Sequence, residues 1–343
     1  MTSRSRWPKV SVIISNFNGI KLNLILSSLD SIFQGDYPNF EVIVVDNASL
    51  DNSTTLIKKK FGQDKRLKII ENPVNMYSQG LNLGIKVATG EYIAFFNNDI
   101  EFKNGYFQQI IKTFNKNPKA ALVQGKLLYF YDHQIIDSVG ETMDIYGNPI
   151  TIGGGEQDLV HFDKPKEILS ACGAASVIKH SILNHVGGID SDYGIGYEDM
   201  DLALRIRLKG FKILYCPSAV IYHKRGKTDL STLVRVKVRW HFNKNRIATM
   251  IKNYPILLLL KALPITILLY IGAGLWEIFL KGKINLGLTR FTAMLWIILN
   301  APNLLKKRIT IRKNINKAGE ESILCLLSKT SILESFLSFV KVK

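Results

Sequence analysis

The chain has 343 residues, of which 47% are hydrophobic and 21% are charged, and its mean hydropathy is +0.09. This composition argues against a disordered chain, which would be poor in apolar residues, and against a polytopic membrane protein, which would need many long uncharged runs. Its three cysteines are far apart and form no CxxC pair, so a disulfide framework is not expected and a reducing compartment fits. The first residues also lack the apolar run expected of a secretory signal.

The net charge of +17 comes from one segment of the chain. Residues 1–220 contain equal numbers of basic and acidic residues, and so do residues 318–343. Residues 221–317 contain 19 Lys and Arg but only two acidic residues, Asp229 and Glu277. Such an asymmetry predicts a basic region that faces anionic lipid, nucleic acid or a phosphorylated substrate.

Strand-like and helix-like segments alternate over the first 125 residues. The strand patterns are KVSVIIS, EVIVVD, LKII, EYIAFF and AALVQG, and helical spacing appears between them in LNLILSSLDSIF, SQGLNLGIKVA and YFQQIIKTF. This alternation predicts a parallel, doubly wound sheet. Residues 126–220 add the strand-like SACGAASVIK, the helical LALRIRLKG and the strand-like FKILYC, which we interpret as a second half built onto the same sheet.

Beyond Tyr254 the chain becomes apolar and basic. The uncharged stretches 262–276 and 291–305 are shorter than the roughly 20 residues that a spanning helix needs, and Pro264 is expected to bend the first of them. We predict two helices that lie in one leaflet with their basic flanks on lipid headgroups. The alternatives are a pair of buried helices in a soluble domain and a two-span hairpin with both basic flanks in the cytoplasm. The tail at 318–343 is expected to form an amphipathic helix packed on this segment.

Polar side chains follow three of the predicted strands at the point where each strand ends. These clusters are Ser15, Asn16 and Asn18 after the first strand, Asp46, Asn47 and Ser49 after the second, and Asn97, Asn98 and Asp99 after the fourth. Ligands bind at the carboxyl ends of the strands in open parallel sheets. Asp46 is suited to accept a hydrogen bond from a pyrimidine N3–H, and Asp99 is a hard oxygen ligand suited to Mg²⁺ or Mn²⁺ beside phosphates. Any one cluster alone is also typical of a solvated turn with a helix cap.

The run GYEDMDL places Glu198, Asp199 and Asp201 at the start of a predicted helix. Acidic residues in a first helical turn are ordinary partners of the helix dipole, and this interpretation suits Asp201. The crowding of three carboxyl groups can also raise the pKa of one of them, as a general base requires. The sequence pattern leaves both interpretations of this run open.

In order along the chain, these segments resemble family 2 glycosyltransferases with the GT-A fold, which has a mostly parallel central sheet flanked by helices. The matching runs are VSVIISNFNG, FEVIVVDNASLDNS, NPVNMYSQGLNLGIKVATGEYIAFFNNDIE, GGID with GYEDMDLALRIRLKGFKILYCPSAVIYH, and HFNKNRI. The chain looks most like the non-processive rhamnosyltransferase-like enzymes of surface polysaccharide and glycolipid assembly. The resemblance implies a catalytic domain at 1–250, with a nucleotide-sugar-binding half at 1–125 and an acceptor half at 126–250. Residues 251–343 would then form the membrane-associating helical region.

The resemblance also implies roles for individual residues. Asp46 matches the aspartate that contacts the nucleotide base, and Asp99 ends the DxD position, where Mg²⁺ or Mn²⁺ bridges the donor diphosphate. Asn97 stands where that motif has its first aspartate, which leaves Asp99 as its one charged ligand. Asp199 matches the catalytic base beside Glu198, and His223 matches a histidine that approaches the metal or the diphosphate. The other donor contacts implied are Ser15, Asn16, Asn18, Asn47, Ser49, Asn82, Asn98, Gly173 and Ala174.

The run VKVRW at 236–240 stands where processive synthases of this family carry QxxRW, with Val236 in place of the glutamine. This departure argues against processive polymerisation, and Arg239 and Trp240 are expected to anchor a basic amphipathic helix at the membrane.

The expected reaction is an inverting transfer from a UDP- or dTDP-sugar to a hydroxyl of a lipid-linked or surface-polysaccharide acceptor. The protein would work at the cytoplasmic face of the membrane, as a peripheral or monotopic protein on an anionic surface. A polyprenyl-phosphate sugar synthase and a catalytically silent nucleotide-sugar-binding scaffold are the alternatives. Nucleic-acid binding is not expected, because the basic segment has long apolar cores that a phosphate-tracking groove does not need. The oligomeric state stays open.

Overall fold

The computed structural model describes residues 7–20, 23–225, 232–313 and 315–341. The chain forms two compact units, each built from three separate stretches. The first unit comprises Met1–Glu141, Thr151–Asp192 and Phe211–Lys227, and the second comprises Thr142–Ile150, Tyr193–Gly210 and Thr228–Lys343. These units divide the chain at places other than residue 250, and the functional division into 1–250 and 251–343 stays a prediction.

Twelve β-strands occur in the described part of the chain. They are β1 (Val10–Asn16), β2 (Phe40–Asn47), β3 (Leu67–Asn72), β4 (Tyr92–Asn97), β5 (Ile100–Phe102), β6 (Ala120–Tyr129), β7 (Asp132–Ser138), β8 (Glu141–Met143), β9 (Pro149–Thr151), β10 (Lys166–Glu167), β11 (Ala175–Lys179) and β12 (Lys212–His223).

Ten of these strands form one sheet, which belongs to the first unit. Its order is β10-β12-β6-β11-β4-β1-β2-β3, with β5 on β12 and β7 on β6, while β8 and β9 form a separate hairpin. The pairings make β3, β2, β1, β4, β6 and β12 run in the same direction, and β11 lies antiparallel between β4 and β6. The mostly parallel sheet is therefore confirmed, and strands from the second half of the sequence extend it.

Twelve α-helices accompany these strands in the stretches of chain that the structure describes. They are α1 (Leu24–Phe33), α2 (Ser53–Phe61), α3 (Tyr77–Val87), α4 (Tyr106–Lys116), α5 (His180–Val186), α6 (Glu198–Leu208), α7 (Thr232–Asn253), α8 (Ile256–Leu275), α9 (Ile284–Leu299), α10 (Ala301–Arg312), α11 (Lys317–Leu326) and α12 (Ile332–Lys341). The first five belong to the unit that contains the sheet, and the other seven belong to the second unit.

Helices cover both faces of the sheet, and this explains why its central strands are apolar without interruption. Every residue of β1 is buried. Alternate residues of this strand share a core cluster with residues of α1, α2 and α4. On the opposite face Ile13 meets α3, where a Cβ on Gly84 would lie 2.6 Å from the Ile13 side chain. Strands covered on both faces lose the polar alternation of a half-exposed strand.

The second unit is arranged around α7, which contacts α6, α8, α9 and α10. Much of α7 is polar and buried, including Lys244, Arg246 and Lys252. Arg239 forms an ion pair with Glu277, which also binds Arg290 at 3.0 Å. The predicted role of Arg239 as a membrane anchor is therefore wrong, because its guanidinium pairs with a buried carboxylate inside the protein. Part of the basic excess of residues 221–317 is thus internal charge.

The apolar segment contains one helix, Ile256–Leu280, that is long and apolar enough to cross a membrane. It includes α8, which continues through Pro264, and a π-helical turn at Trp276–Leu280. Helices α9 and α10 would provide a second candidate only if they count as one span, since they meet at a bend of 68°. Core helices of soluble proteins also have this length and composition. The tail forms two helices instead of the expected one. The expected packing on this segment is confirmed for α12, whose Phe339 ring lies 5.3 Å from that of Tyr270, whereas α11 packs against α6.

Candidate functional site

Asn16 joins the three polar clusters at the carboxyl edge of the sheet. Its Nδ2 donates to Asp46 Oδ1 at 2.7 Å and to Ser53 Oγ at 3.0 Å, and its Oδ1 accepts from Asn98 Nδ2 at 2.9 Å. The strand register explains this contact, because β1 lies between β2 and β4 and pairs Asn16 with Asp46. The clusters that follow the first, second and fourth strands are therefore in direct contact.

Both carboxylate oxygens of Asp46 are held by the turn that follows β2. Ser49 donates its Oγ to Asp46 Oδ1 at 2.6 Å and its backbone N–H to Oδ2 at 3.0 Å. Asn18, with a positive φ of 51°, donates its backbone N–H to Ser49 Oγ at 2.9 Å and accepts from the backbone N–H of Leu50 at 2.8 Å. These bonds give the Asp46 carboxylate a fixed orientation at the sheet edge.

Asn47 braces the neighbouring strands beneath this turn. Its Nδ2 donates to Ser15 Oγ at 2.9 Å, and its Oδ1 accepts from Asn72 Nδ2 at 2.9 Å. Sequence reasoning missed Asn72, although this residue ends β3 as Asn47 ends β2. It also missed the close fit of Gly19, where a Cβ would lie 2.1 Å from Asn16 Oδ1.

The remaining predicted donor contacts occupy two places in the first unit. Asn97 donates its backbone N–H to the carbonyl of Ala174 at 3.4 Å, and Tyr77 OH donates to the carbonyl of Gly173 at 3.4 Å, so 173–174 lie beside the end of β4. Asn82 exchanges two hydrogen bonds with the backbone of Ile189, at 2.7 and 3.0 Å. The Asn82 carboxamide therefore holds the GGID loop, and its contact with a donor stays a prediction.

Asp99 and His223 meet where β5 pairs with the end of β12. His223 Nε2 lies 3.2 Å from Asp99 Oδ1, and His223 Nδ1 lies 2.6 Å from Asp137 Oδ2. Burial alone would lower the pKa of His223, but the hydrogen bonds and charges of Asp137 and Asp99 outweigh it and raise this pKa to about 9. Burial raises the pKa of Asp137, and the contacts with His223 and Arg225 more than reverse this, so that the net shift is downward.

The donor set of Asp99 and His223 fits a divalent cation in part. A carboxylate oxygen suits both Mg²⁺ and Mn²⁺, and an imidazole nitrogen is a ligand that Mn²⁺ accepts after it loses its proton, which the raised pKa of His223 opposes. The part of the chain that the structure describes contains no group of three His, Cys, Asp or Glu side chains arranged to hold a metal. A cation bound here would therefore take its remaining ligands from phosphate oxygens or water.

Within the second unit, α6 begins with the acidic run. Glu198 is buried, and its Oε2 has no hydrogen-bond partner among the described residues. Burial, reinforced by the charge of Asp199, raises the pKa of Glu198 to about 8. Asp199 is partly exposed and accepts from the backbone N–H of Met200 at 2.7 Å. The carboxyl groups of the acidic run are therefore crowded as predicted, and the pKa that is raised is that of Glu198.

Asp201 has the structural role that its position suggested. Its carboxylate lies 2.8 Å from Lys252 Nζ and 2.9 Å from Arg205 Nε, and it accepts from Asn253 Nδ2 at 2.8 Å. Burial alone would raise the pKa of Asp201, but the charges of Lys252 and Arg205 and these hydrogen bonds lower it well below its usual range. Asp201 is therefore an internal anion that links α6 to α7.

Asn245 of α7 fixes the loop that leads into the acidic run. Its Nδ2 donates to the carbonyls of Tyr193, Ile195 and Gly196 at 2.8, 3.0 and 2.6 Å. His241 Nδ1 lies 2.8 Å from the same Tyr193 carbonyl. Asn245 and His241 both belong to the run HFNKNRI, which contributes to the family resemblance. The sequence alone assigned no role to either residue.

Comparison with known proteins shows which protein family the chain belongs to. The family model described as "Glycosyl transferase family 2" matches residues 11–187, more than half of the chain. The chain therefore belongs to glycosyl transferase family 2.

Three curated relatives indicate the range of that similarity. An uncharacterized protein, y4gI, of Sinorhizobium fredii is 28% identical over 248 residues, which cover 66% of this chain and 26% of the relative. The poly-beta-1,6-N-acetyl-D-glucosamine synthase of Staphylococcus epidermidis is 26% identical over 232 residues, covering 67% and 53%. The O-antigen biosynthesis protein RfbC of Myxococcus xanthus is 24% identical over 229 residues, covering 63% and 17%. The chain spans about half or less of the length of these relatives.

Three solved structures share the fold. A mannosyltransferase, PcManGT, of Pyrobaculum calidifontis in complex with GDP-Man and Mn²⁺ has a TM-score of 0.55 and 18% identity, covering 99% of this chain and 87% of its own. GalNAc-T7 with UDP, GalNAc and Mn²⁺ has a TM-score of 0.54 and 15% identity, covering 68% and 48%. S. aureus TarS 1–349 with UDP-GlcNAc has a TM-score of 0.54 and 14% identity, covering 97% and 88%. At these identities the likeness establishes the GT-A fold alone.

Proposed function

We propose that this protein transfers a sugar from a nucleoside diphosphate donor to an acceptor hydroxyl, with inversion at the anomeric carbon. The observation that carries the proposal is the hydrogen-bonded edge of Asn98, Asn16 and Asp46 in a chain of glycosyl transferase family 2. It puts fixed polar groups at the carboxyl ends of parallel strands, where open α/β sheets bind their ligands. In this proposal Asp46 contacts the base, and Asn16, Asn18, Asn47 and Ser49 shape the surface around it.

Asp199 is the proposed general base. It removes the proton from the acceptor hydroxyl while that oxygen attacks the anomeric carbon and the nucleoside diphosphate leaves, so one C–O bond forms as another breaks. Asp199 is partly exposed, as a group that meets substrate must be, and Glu198 stays largely protonated at neutral pH because its pKa is raised. The raised pKa of Glu198 therefore reduces the negative charge next to Asp199. General-base help of this kind is typically worth about 10²–10⁴-fold in rate.

Asp99 and His223 are the proposed ligands of a Mg²⁺ or Mn²⁺ ion. Such an ion offsets the negative charge that develops on a departing diphosphate. This role is supported by the 3.2 Å approach of the two side chains. Structural neighbours were solved with Mn²⁺ together with GDP-Man or UDP, and for this chain we propose a UDP- or dTDP-sugar as donor.

The proposed acceptor is a lipid-linked or surface-polysaccharide sugar at the cytoplasmic face of an anionic membrane. Support comes from the second unit, in which Leu257, Leu268 and Phe279 of the apolar helix are exposed beside the exposed basic residues Lys261 and Lys281. An exposed apolar face with basic flanks is typical of helices that lie in the lipid interface.

A monotopic arrangement is favoured over a span by the polar contacts of α8. Tyr270 OH donates to the carbonyl of Asn243 at 2.9 Å, and Thr266 is buried against Tyr146. One face of α8 is therefore bound to polar protein along its length, which leaves the opposite face for lipid.

Membrane binding is tested by co-sedimentation with vesicles that contain anionic lipid. Phe279→Glu places a charge on a side chain that is 76% exposed and should lower the bound fraction severalfold. Tyr131→Glu is the matched control, since Tyr131 is 75% exposed in the first unit. Equal loss in both variants, or in neither, contradicts the proposed surface.

The activity is tested by incubating the full chain with a panel of nucleotide sugars, Mg²⁺ or Mn²⁺, and a membrane extract that supplies acceptors. The proposal predicts release of a nucleoside diphosphate and a new glycolipid from at least one donor. Transfer to bare polyprenyl phosphate would instead indicate a polyprenyl-phosphate sugar synthase. Donor binding by the folded chain without product from any donor would indicate a silent binding scaffold.

A further inference from the structure

Asp137, in strand β7, is a fully buried carboxylate to which two cationic side chains bind. The residue is 0% exposed, and sequence analysis gave it no role. Its Oδ2 lies 2.6 Å from His223 Nδ1, and its Oδ1 accepts from Arg225 Nε at 2.6 Å and lies 2.5 Å from Arg225 Nη2. A buried carboxylate needs such partners, and because Asp99 lies beside His223, the two carboxylates here balance the two cationic side chains.

The chain direction brings Arg225 close to Asp99. Strand β12 ends at His223, which pairs with Ile100 of β5, and the next residue, Lys224, donates its backbone N–H to the Asp99 carbonyl at 2.8 Å. Arg225 follows directly, in the same unit as the hydrogen-bonded edge of Asn98, Asn16 and Asp46. Arg225 therefore lies just past the end of the strand that carries His223, next to the backbone of Asp99.

Arg225 combines a strained backbone with an exposed charge. Its φ of 47° lies in the left-handed region, which is uncommon for a residue with a side chain. Such conformations are strained and persist where the surroundings enforce them, often at functional sites. Its side chain is 52% exposed although Asp137 holds its Nε and Nη2. When a carboxylate holds one edge of a guanidinium, the N–H groups of the other edge face solvent, and their planar arrangement suits phosphate oxygens.

We propose that Arg225 binds the diphosphate of the donor and that Asp137 is a positioning residue that holds Arg225 and His223 toward it. This inference rests on the proposed function, because it takes the donor to be a nucleoside diphosphate sugar bound at this edge. Arg225 supplies a fixed positive charge next to the single aspartate that remains of the DxD position. It thereby adds phosphate recognition at a motif that Asn97 has made less acidic.

The test compares binding of a nucleoside diphosphate with binding of its monophosphate by isothermal titration calorimetry. UDP, dTDP and GDP are first titrated into the wild-type chain with Mg²⁺, and the tightest is used with its matching monophosphate. Arg225→Gln should weaken diphosphate binding about tenfold or more, as loss of a charge-assisted contact predicts, and should leave monophosphate binding within about twofold. Arg225→Lys keeps the charge but lacks the planar guanidinium, so its affinity for the diphosphate should fall between those of the wild type and the glutamine variant.

Arg66→Gln is the matched control. Arg66 also donates through Nε and Nη2 to a single carboxylate, that of Asp64, at 3.0 and 2.7 Å, and it lies before the start of β3, away from the carboxyl edge. This variant should bind the diphosphate as the wild type does. If Arg66→Gln and Arg225→Gln weaken binding equally, the effect is one of general charge and the inference fails.

Asp137→Asn tests the positioning role. If Asp137 acts through Arg225, the double variant Asp137→Asn/Arg225→Gln should bind the diphosphate no more weakly than Arg225→Gln alone. Additive losses would contradict that role. If Asp137→Asn does not fold, the Arg225 series still decides the phosphate contact.

Different results would overturn the proposed function and the role of Arg225. A wild-type chain that binds none of the three diphosphates overturns the proposed function and this inference with it. Wild-type binding that Arg225→Gln leaves unchanged overturns the role of Arg225 and leaves the proposed function standing.

Discussion

The sheet edge of the first unit and the interior of the second unit stabilise buried polar groups in different ways. In the first unit, the sheet edge is held mainly by neutral amides, with Asn16 bonded to Asn98 and Asp46 and Asn47 bonded to Asn72. In the second unit the interior contains full charges, with Asp201 between Lys252 and Arg205 and Glu277 between Arg239 and Arg290. Neutral networks tolerate the loss of one member better than charged ones, because a charge left without its partner is far more costly to bury.

This difference also shows what patterns in a sequence reveal. A polar residue at the end of an apolar strand has a predictable place, because strand direction and register fix where it lies. A basic residue in an apolar helical segment has no such constraint, and hydropathy alone assigns it to the surface or to lipid headgroups. The interior of the second unit shows how that assignment fails when an acidic residue elsewhere in the chain provides a buried partner.

The largest expected effect on stability is that of Asp201→Asn. It removes the anion that pairs with both Lys252 and Arg205 inside the second unit. Breaking such a buried pair typically lowers the free energy of unfolding by about 3–5 kcal/mol. Urea unfolding followed by circular dichroism measures it, and a loss below about 1 kcal/mol would show that solvent reaches these charges.

Glu198→Gln should change how stability depends on pH. The folded pKa of Glu198 is about 8, above the ordinary value of 4.5, so between these pH values the folded state holds a proton that the unfolded state has lost. Below about pH 4.5 Glu198 is protonated in both states, and its contribution to the free energy of unfolding is fully present. As the pH rises toward 8 the unfolded state gains stability by losing this proton, so the contribution is lost. The wild type should thus lose up to a few kcal/mol over this range that the glutamine variant keeps. Parallel melting curves of both proteins from pH 5 to 8 would contradict the raised pKa.

Asn16→Ala should have a smaller effect on stability. It deletes a buried carboxamide that donates to Asp46 and accepts from Asn98, and it leaves these partners without one bond each. The expected cost is about 1–3 kcal/mol in the free energy of unfolding. A loss as large as that of Asp201→Asn would remove the distinction between the neutral and the charged network.

The smallest effect is expected for Glu71→Gln, which serves as the baseline for this series. Glu71 forms an ion pair with Lys58 at 3.2 Å, and both side chains are exposed. Exposed pairs of this kind are worth about 0–1 kcal/mol and weaken further with added salt. A change above that range in chemical unfolding would mean that the measurement reports more than the pair.

Most of the first unit follows from its sequence. The runs KVSVIIS, EVIVVD and EYIAFF became β1, β2 and β4, and the polar residues that follow them lie together because these strands are neighbours. Asp137 escaped notice because it stands in an ordinary strand, HQIIDS, and acquires its partners only when β7 and β12 both pair with β6. Arg225 could have been predicted from the sequence, since it lies two residues after His223, which the family resemblance had already indicated.

The second unit was harder to predict, because its polar contacts join residues that are far apart in the chain. Asn245 holds carbonyls some 50 residues earlier, and Arg290 donates to the carbonyl of Phe339 in the last helix. Such pairs have no local spacing that a sequence pattern can reveal. The convergence of Asp199 with Asp46 and Asp99 on one substrate, which the proposed reaction requires, stays a prediction.

The most direct test of the proposed reaction is Asp199→Asn, assayed with the donor that the wild-type chain turns over. The account predicts that kcat falls by at least about 10²-fold, while the dissociation constant of the nucleoside diphosphate stays within about twofold of the wild-type value. Turnover by Asp199→Asn at a rate close to that of the wild type would contradict the assignment of the base and the mechanism built on it.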